Sequence, residues 1–156
     1  MEMVKIFEVK LKEMGISLPP VAKPVAAYVP AVLTDRYVYT SGQIPFVEGE
    51  LKYKGRVGGD LTDKEGYEAA RICVLNCLSA VKSVAGSLDS IERIVKVTGF
   101  VNSAQGFYGQ PGVINGASEL LGQIFGEAGR HARSAVGVSE LPLNAAVEVE
   151  MIVKLK

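Results

Sequence analysis

The chain has 156 residues, of which 48% are hydrophobic and 22% are charged. This composition is too apolar for a disordered protein, and the length suits a single globular domain, 1–156. The 17 basic side chains balance the 17 acidic ones. The chain therefore lacks the net positive charge that drives binding to a phosphate backbone, and a nucleic-acid partner is disfavoured.

The pattern of hydrophobic residues predicts neither a membrane span nor a signal peptide. No apolar run approaches the roughly 20 residues that cross a bilayer, and Met1–Lys5 lacks the basic and then apolar pattern of a secretory signal. We therefore expect a cytoplasmic protein with no membrane partner. The two cysteines are too few for a disulfide framework in a chain this long, and with one histidine we expect no metal site.

Residues 1–24 are predicted to form an accessory helix and a linker. Apolar residues recur at helical spacing from Val4 to Met14, and Gly15 can end the helix. Prolines at positions 19, 20 and 24 then favour an extended segment, because each also keeps its predecessor out of the α region. The core would accordingly occupy 25–156, beginning near Val25.

The next segment reads as strands and turns. Two strand-like runs, Ala27–Leu33 and Arg36–Thr40, flank Thr34-Asp35 as a candidate hairpin turn. The stretch Phe46–Gly59 alternates only weakly, which indicates a further short strand or a loop.

The strongest helix signal lies between Thr62 and Glu65, which match a capping box. A helix should follow and end by Gly86, with Cys73 and Cys77 on its apolar stripe. Both thiols are therefore predicted to be small core residues and not catalytic groups or metal ligands.

The segment Ile91–Val101 is rich in β-branched residues and predicts a central strand, in which Gly99 permits close packing. A loop over Ser103–Gly112 should precede a second helix from about Ile114 to Ala128. The order of strands and helices predicts an α+β fold, a mixed sheet with two helices packed on one face.

The C-terminal run from His131 predicts two strands joined by a loop that contains proline and asparagine. If the strands pair as an antiparallel hairpin, Arg133 lies opposite Glu148 on one face, away from the core row that begins at Val147. Small residues beside the guanidinium would leave room for a ligand. The alternative is an exposed ion pair of Arg133 with Glu148 or Glu150.

Two motifs resemble those of the Rid family (RidA/YjgF/YER057c/UK114). They are Thr40-Ser41-Gly42-Gln43-Ile44-Pro45 and, about ninety residues later, Ala132-Arg133-Ser134 with Val138, Leu141-Pro142 and the Val-Glu-Val-Glu-Met strand. The resemblance runs from about Val25 to the C-terminus, which places the first helix in an extension of a divergent branch. It implies a chorismate-mutase-like fold that assembles as a homotrimer, with sites between subunits.

The resemblance also implies roles for two charged residues. Arg133 matches the arginine that binds the carboxylate of a 2-imino acid, and a planar guanidinium can do so through two parallel hydrogen bonds. Glu148 matches the glutamate that handles water, work that a positioned carboxyl group can perform. Glu150 has the same phase along the strand and stays an alternative.

Four further residues match substrate-binding positions of the family. Tyr28 and Ser41 offer hydroxyl groups to substrate or water, and Gly42 permits close backbone approach. Asn115 matches the family's asparagine if the preceding loop carries a short insertion, and a turn or cap role is the alternative.

The chain departs from the family pattern near the arginine. Ala135 stands where many members have cysteine, so a mechanism that needs that thiol would fail, although the small side chain and the backbone N–H remain for binding. His131 stands where the family has proline. Because of these changes, the sequence does not indicate which side chain a substrate would carry.

The function that the resemblance implies is hydrolysis of 2-imino or enamine acids to 2-oxo acids and ammonia, without a cofactor. Arg133 would bind the substrate carboxylate and Glu148 would direct water. A trimeric module that binds such acids as a sensor or chaperone, without turnover, is the alternative. An endoribonuclease or translation inhibitor fits less well, because the charge is balanced and no histidine lies in a basic cluster.

Overall fold

The computed structural model describes residues 5–21, 23 and 26–156. The predicted start of the first helix at Val4, the linker residue Pro24 and the predicted start of the core at Val25 lie outside that part of the chain. The α-helices and strands of the described residues are, in chain order, α1 Ile6–Glu13, β1 Ala31–Thr34, β2 Tyr37–Thr40, β3 Phe46–Val47, β4 Glu50–Leu51, α2 Asp63–Ala85, β5 Ile91–Asn102, α3 Gln110–Phe125, β6 Ala132–Val138 and β7 Val147–Leu155.

Five of the strands form one mixed sheet in the order β1-β2-β7-β5-β6. Neighbouring strands are antiparallel except β5 and β6, which run parallel and are joined through α3. Helix α2 packs on β1, β2 and β7, while α3 packs on β5 and β6. The predicted α+β fold with two helices on one face of a mixed sheet is therefore confirmed.

The core lies between the sheet and these two helices. The predicted core row of β7 is fully buried, and its members are Val147, Val149, Met151 and Val153. Helix α3 crosses β5 very closely at Gly99, where an added Cβ would lie 2.4 Å from the Cδ1 atom of Ile114. Glu148 and Glu150 point to the opposite, open face of the sheet because strand side chains alternate.

Helix α2 begins with the predicted capping box. The backbone N–H of Glu65 donates to Thr62 Oγ1 at 3.1 Å, and the N–H of Thr62 donates to Glu65 Oε1 at 3.1 Å. Cys73 and Cys77 are fully buried, as predicted, and burial raises the pKa of both thiols, that of Cys77 to about 12. Among the described helices, none is both long and apolar enough to cross a membrane.

Helix α1 is attached to the rest of the molecule by a reciprocal pair of carboxylates. The N–H of Phe7 donates to Asp89 Oδ1 at 2.7 Å, while the N–H of Leu88 donates to Glu8 Oε1 at 3.1 Å. The Phe7 ring also lies 4.7 Å from the ring of Phe125 in α3. Each carboxylate thus satisfies N–H groups at the start of a neighbouring helical turn.

The first hairpin is shifted from its predicted place. The turn residues are Asp35 and Arg36 and not Thr34 and Asp35, and Asp35 has a φ of 52°. Aspartate tolerates the left-handed region better than threonine, whose branched Cβ disfavours it. The strand before the turn begins at Ala31, four residues later than predicted.

The second helix begins earlier than predicted, at Gln110 and not near Ile114. Pro111 lies in its first turn, where a missing N–H costs no hydrogen bond, so this proline starts the helix and does not belong to the preceding loop. Asn115 is therefore in the second turn of α3, which rules out its role as a turn or cap residue.

The predicted pairing of the last two strands is wrong. Strand β5 lies between β6 and β7, and it pairs with β6 through Val97 and Arg133 and with β7 through Val97 and Met151. Glu148 is aligned with Phe100. The segment 139–146 is long enough to pass over one strand, which a two-residue hairpin loop is not.

Candidate active site

Arg133 lies on the edge strand β6 and extends toward α3. Its Nη1 atom donates to Asn115 Oδ1 at 2.8 Å and to Ser118 Oγ at 3.2 Å, and Nη2 donates to the carbonyl oxygen of Pro111 at 3.3 Å. Three of its five N–H groups are thus used by α3. The Nε–H and one Nη2–H make no hydrogen bond within the described residues.

All the acceptors around Arg133 are neutral. The ion pairs of the described residues join Lys82 to Glu8, Arg130 to Glu127 and Lys154 to Glu92. The alternative in which Arg133 is only a partner of Glu148 or Glu150 is therefore wrong for the single chain. The guanidinium is oriented without being neutralised, which is how an anion-binding arginine is presented.

A second group of predicted residues lines a cavity of about 280 Å³ at another part of the sheet. Tyr28, Gly42 and Glu148 lie at this cavity together with Lys23. The apolar part of its wall is formed by Pro30, Ile44, Phe46, Pro142 and Leu143. It thus combines one carboxyl group with a mostly apolar surface, as small-molecule sites commonly do.

Ser41 holds the wall of this cavity in place. Its hydroxyl donates to the carbonyl oxygen of Val29 at 2.5 Å, and its N–H donates to that of Pro30 at 2.8 Å. These bonds fix the segment that carries Tyr28. The Ser41 hydrogen is used within the protein, so this hydroxyl can meet a ligand or water only as an acceptor.

Glu148 is packed against the backbone of Gly42. An added Cβ at Gly42 would lie 2.8 Å from Glu148 Cδ and 3.0 Å from Oε1. Two backbone hydrogen bonds between Gln43 and Val149, of 2.8 and 3.0 Å, hold the two segments together. Partial burial raises the pKa of Glu148, and the charge of Glu150 raises it further, so the carboxyl group is poised to accept and release protons nearer neutral pH.

The predicted site residues therefore form two separate groups in one chain. Arg133 and Asn115 lie on the helix side of the sheet, and Glu148 with Tyr28 and Gly42 lies at the cavity reached from the open face. Ala135 is aligned with Gly99 and packs against the core, two residues after Arg133 and on the same face of β6. The expectation that arginine and glutamate share one surface of one chain is wrong.

Sequence reasoning missed two residues beside Arg133. Ser118 accepts a hydrogen bond from the guanidinium, and His131 Nε2 lies 2.9 Å from Ser118 Oγ. No motif marks Ser118, but its position three residues after Asn115 places both on one face of a helix. Within the described part of the chain, no cluster of three or more histidine, cysteine, aspartate or glutamate side chains could hold a metal ion.

Comparison with known proteins places this geometry in a family. Residues 8–155 match the model described as "YjgF/chorismate_mutase-like, putative endoribonuclease". Protein TCP17 of Trypanosoma cruzi is 44% identical over 146 residues, which are 93% of this chain and 91% of that protein. A 2-iminobutanoate/2-iminopropanoate deaminase of Dermatophagoides farinae is 32% identical over 141 residues, 90% of this chain and 95% of the relative.

The fold is also found among solved structures. The crystal structure of Atu1372, a protein with unknown function from Agrobacterium tumefaciens, superposes with a TM-score of 0.89 at 42% identity, covering 97% of this chain and 93% of that one. The family match begins at residue 8, inside α1, and not near Val25. Most of α1 is thus part of the matched region and not an extension outside it. The chain belongs to the YjgF/RutC family, which is also called the Rid family.

Proposed function

We propose that the protein hydrolyses 2-imino acids, and their enamine tautomers, to 2-oxo acids and ammonia. The observation that carries this proposal is the state of Arg133, which α3 orients through three neutral acceptors while no carboxylate of the described residues neutralises it. Its free Nε–H and Nη2–H can bind a substrate carboxylate side-on. The deaminase relative at 32% identity supports the same substrate class.

Glu148 is the proposed acid and base. In the reaction, a water oxygen bonds to C2 of the imine while the C=N electron pair moves to nitrogen, which takes up a proton. The amino nitrogen of the carbinolamine then takes up a second proton as the hydroxyl group gives up its own, and the C–N bond breaks while the C=O bond forms, so that ammonia leaves. A carboxyl group whose pKa is raised by burial can take the proton from water and return one to nitrogen.

The complete site would be shared between subunits of a homotrimer. Because Arg133 and Glu148 lie on different sides of one sheet, a single chain cannot bring both to one small substrate. Strand β6 is at the edge of the sheet, so the Arg133 side is open to a neighbouring copy. We propose that Arg133 and Asn115 of one subunit complete the cavity of Tyr28, Gly42 and Glu148 in the next.

The test is imine hydrolysis coupled to an amino-acid oxidase or a dehydratase that releases 2-imino acids. Wild-type protein should speed the appearance of 2-oxo acid. Arg133→Ala should lose about a hundredfold or more in kcat/KM, since removing a charged partner from a desolvated site costs several kcal/mol. Arg133→Lys should also lose activity, because lysine keeps the charge but not the planar fork.

The matched control is Arg36→Ala, which removes an exposed arginine from the β1–β2 turn. This variant should keep wild-type activity. A wild-type protein that binds pyruvate but does not change the rate of 2-oxo acid release would be a binding module and not an enzyme. Full activity in a correctly assembled Arg133→Ala protein would show that Arg133 does not bind the substrate carboxylate.

A further inference from the structure

The guanidinium of Arg133 is connected to a chain of hydrogen bonds that ends at the backbone. Arg133 Nη1 lies 3.2 Å from Ser118 Oγ, which lies 2.9 Å from His131 Nε2. The other ring nitrogen, Nδ1, lies 2.7 Å from the carbonyl oxygen of Gly129. The three side chains come from α3, from β6 and from the residue that precedes β6.

The direction of every bond in this chain follows from its ends. A carbonyl oxygen can only accept, so His131 Nδ1 carries the hydrogen and donates to Gly129. In the neutral imidazole, Nε2 is then an acceptor, and Ser118 must donate its hydroxyl hydrogen to it. The lone pairs of Ser118 Oγ are thereby left for Arg133, which can only donate.

The environment favours the neutral imidazole that this arrangement needs. Desolvation lowers the pKa of His131, and the nearby charge of Arg133 lowers it as well, while the bond to Gly129 opposes the shift. Without the histidine, the Ser118 hydroxyl would be free to rotate its hydrogen toward the guanidinium. His131 therefore ensures that the guanidinium of Arg133 meets the lone pairs of Ser118 Oγ and not its hydroxyl hydrogen.

We propose that Ser118 and His131 are positioning residues, which hold the Arg133 guanidinium so that its free edge meets a substrate carboxylate. The two hydrogens of Nη1 are taken by Asn115 and Ser118, so rotation of the guanidinium plane breaks at least one bond. This role deepens the proposed function and rests on it. It makes Ser118 and His131 determinants of carboxylate affinity and not of the chemical step.

The kinetic test separates binding from chemistry. Ser118→Ala and His131→Phe should each raise KM about fivefold to tenfold, in line with the loss of one hydrogen bond, with kcat changed less than twofold. Ser118→Thr keeps the hydroxyl and should restore most of the wild-type KM. The control Ser83→Ala removes another helical serine, one that bonds only the Ala80 carbonyl in its own helix, and should change neither constant.

A spectroscopic test does not depend on turnover. His131 is the only histidine of the chain, so ¹⁵N-histidine labelling gives one imidazole whose nitrogen shifts report the tautomer. We expect the Nδ1–H form in the wild type, and a change in the Nε2 shift in Ser118→Ala. An Nε2–H tautomer, or a KM that stays at the wild-type value in folded Ser118→Ala and His131→Phe proteins, would overturn the positioning role.

The two proposals can fail separately. If wild-type protein binds pyruvate without hydrolysing imines, the enzymatic function fails, and the positioning role is then judged by whether Ser118→Ala weakens pyruvate binding fivefold to tenfold. If wild-type protein neither binds 2-oxo acids nor hydrolyses imines, both are overturned. The tautomer then remains a property of the fold alone.

Discussion

At the scale of single residues, the position of the Glu148 carboxyl group depends on the absence of a side chain at Gly42. The carboxyl group occupies the space that a Cβ at this position would need. No positive φ requires glycine here, so the requirement is one of space alone. The backbone bonds between Gln43 and Val149 keep the two segments from separating to make room.

We therefore predict that Gly42→Ala will lower kcat for imine hydrolysis about tenfold to a hundredfold while the protein stays folded. A methyl group would push the flexible end of Glu148 out of place, and misplacement of a catalytic group by about 1 Å can cost a hundredfold. Activity and thermal melting of the same preparation measure the two effects. An unchanged kcat would show that Glu148 does not act from this position.

Gly112→Ala is the matched control. Gly112 lies in α3, where an added Cβ would meet nothing within 4 Å. Alanine is the better helix former by about 1 kcal/mol, so this variant should melt at the wild-type temperature or above and keep full activity.

The sequence marks the charged residues of the candidate site and Asn115, but not Ser118 or His131. Arg133, Glu148 and Asn115 stand in recognisable motifs. Ser118 and His131 are linked to Arg133 because α3 crosses β6 at one particular height along the strand. This crossing brings Ser118 Oγ within 3.2 Å of Arg133 Nη1. That height is set by the close approach of α3 to Gly99, a tertiary contact that no local pattern specifies.

At the scale of elements, α1 shows how a short helix can be held by few contacts. An isolated helix of eight residues is not stable in water. Leu11 is buried, Glu8 accepts from the N–H of Leu88 and from Lys82, and Asp89 accepts from the N–H of Phe7. Burial alone would raise the pKa of Glu8, but the hydrogen bonds from Leu88 and Lys82 lower it on balance.

We predict that Glu8→Gln will lower the free energy of unfolding by about 1 kcal/mol at about pH 7, because glutamine can still accept from the N–H of Leu88 but loses the charge that strengthens this bond and attracts Lys82. A pKa that is lower in the folded state contributes stability above the unfolded pKa, near 4.5, and loses it as the pH falls through the folded pKa. The difference between wild type and variant should therefore shrink below about pH 4.5.

Urea unfolding at a series of pH values measures this difference. Glu13→Gln, a change to an exposed residue of the same helix, should have no such pH-dependent effect. A loss of stability in Glu8→Gln that is equal at all pH values would mean that the charge of Glu8 does not contribute.

The strands were predictable one by one, and so was the pairing of β1 with β2, but the neighbours of β6 and β7 were not. The alternation of β7 correctly assigns Val147 to the core and Glu148 to the opposite face, because each strand carries its own period of two. The residue pattern of a strand does not specify which other strand pairs with it. Strands β6 and β7 are consecutive in the chain, yet β5 lies between them. It pairs in parallel with β6 on one edge and antiparallel with β7 on the other.

At the scale of the whole molecule, the sheet has one covered and one open face. One row of the open face runs across all five strands through Val32, Tyr39, Ile152, Lys96 and Ala132. Val32, Tyr39 and Val136 are each 44% exposed or more. Mixed apolar and polar surface of this extent on a sheet is typical of a subunit interface.

We predict that the protein is a homotrimer in solution and that Tyr39→Glu/Val136→Glu dissociates it. Two carboxylates in an apolar interface would be buried without partners, at a cost of several kcal/mol. Light scattering should give three times the chain mass of 16.6 kDa for wild type and the single mass for the variant.

Ile6→Glu/Val9→Glu is the control for this change. It adds the same two charges to α1, where Ile6 and Val9 are 61% and 48% exposed. This variant should remain trimeric. A monomeric wild type at micromolar concentration would contradict both the assembly and the shared site.

The burial of both cysteines has a consequence for the proposed reaction. The C=N carbon of a 2-imino acid is an electrophile, and the thiolate is the form of cysteine that acts as a nucleophile. With a pKa of about 12 at Cys77 and a higher than usual one at Cys73, both thiols are almost wholly protonated, and they are enclosed beneath β7. Ala135, near the guanidinium, offers no sulfur either. If the protein hydrolyses 2-imino acids as proposed, neither thiol is exposed or ionised for attack on the substrate, and the packing that stabilises the core would also protect the catalyst from modification.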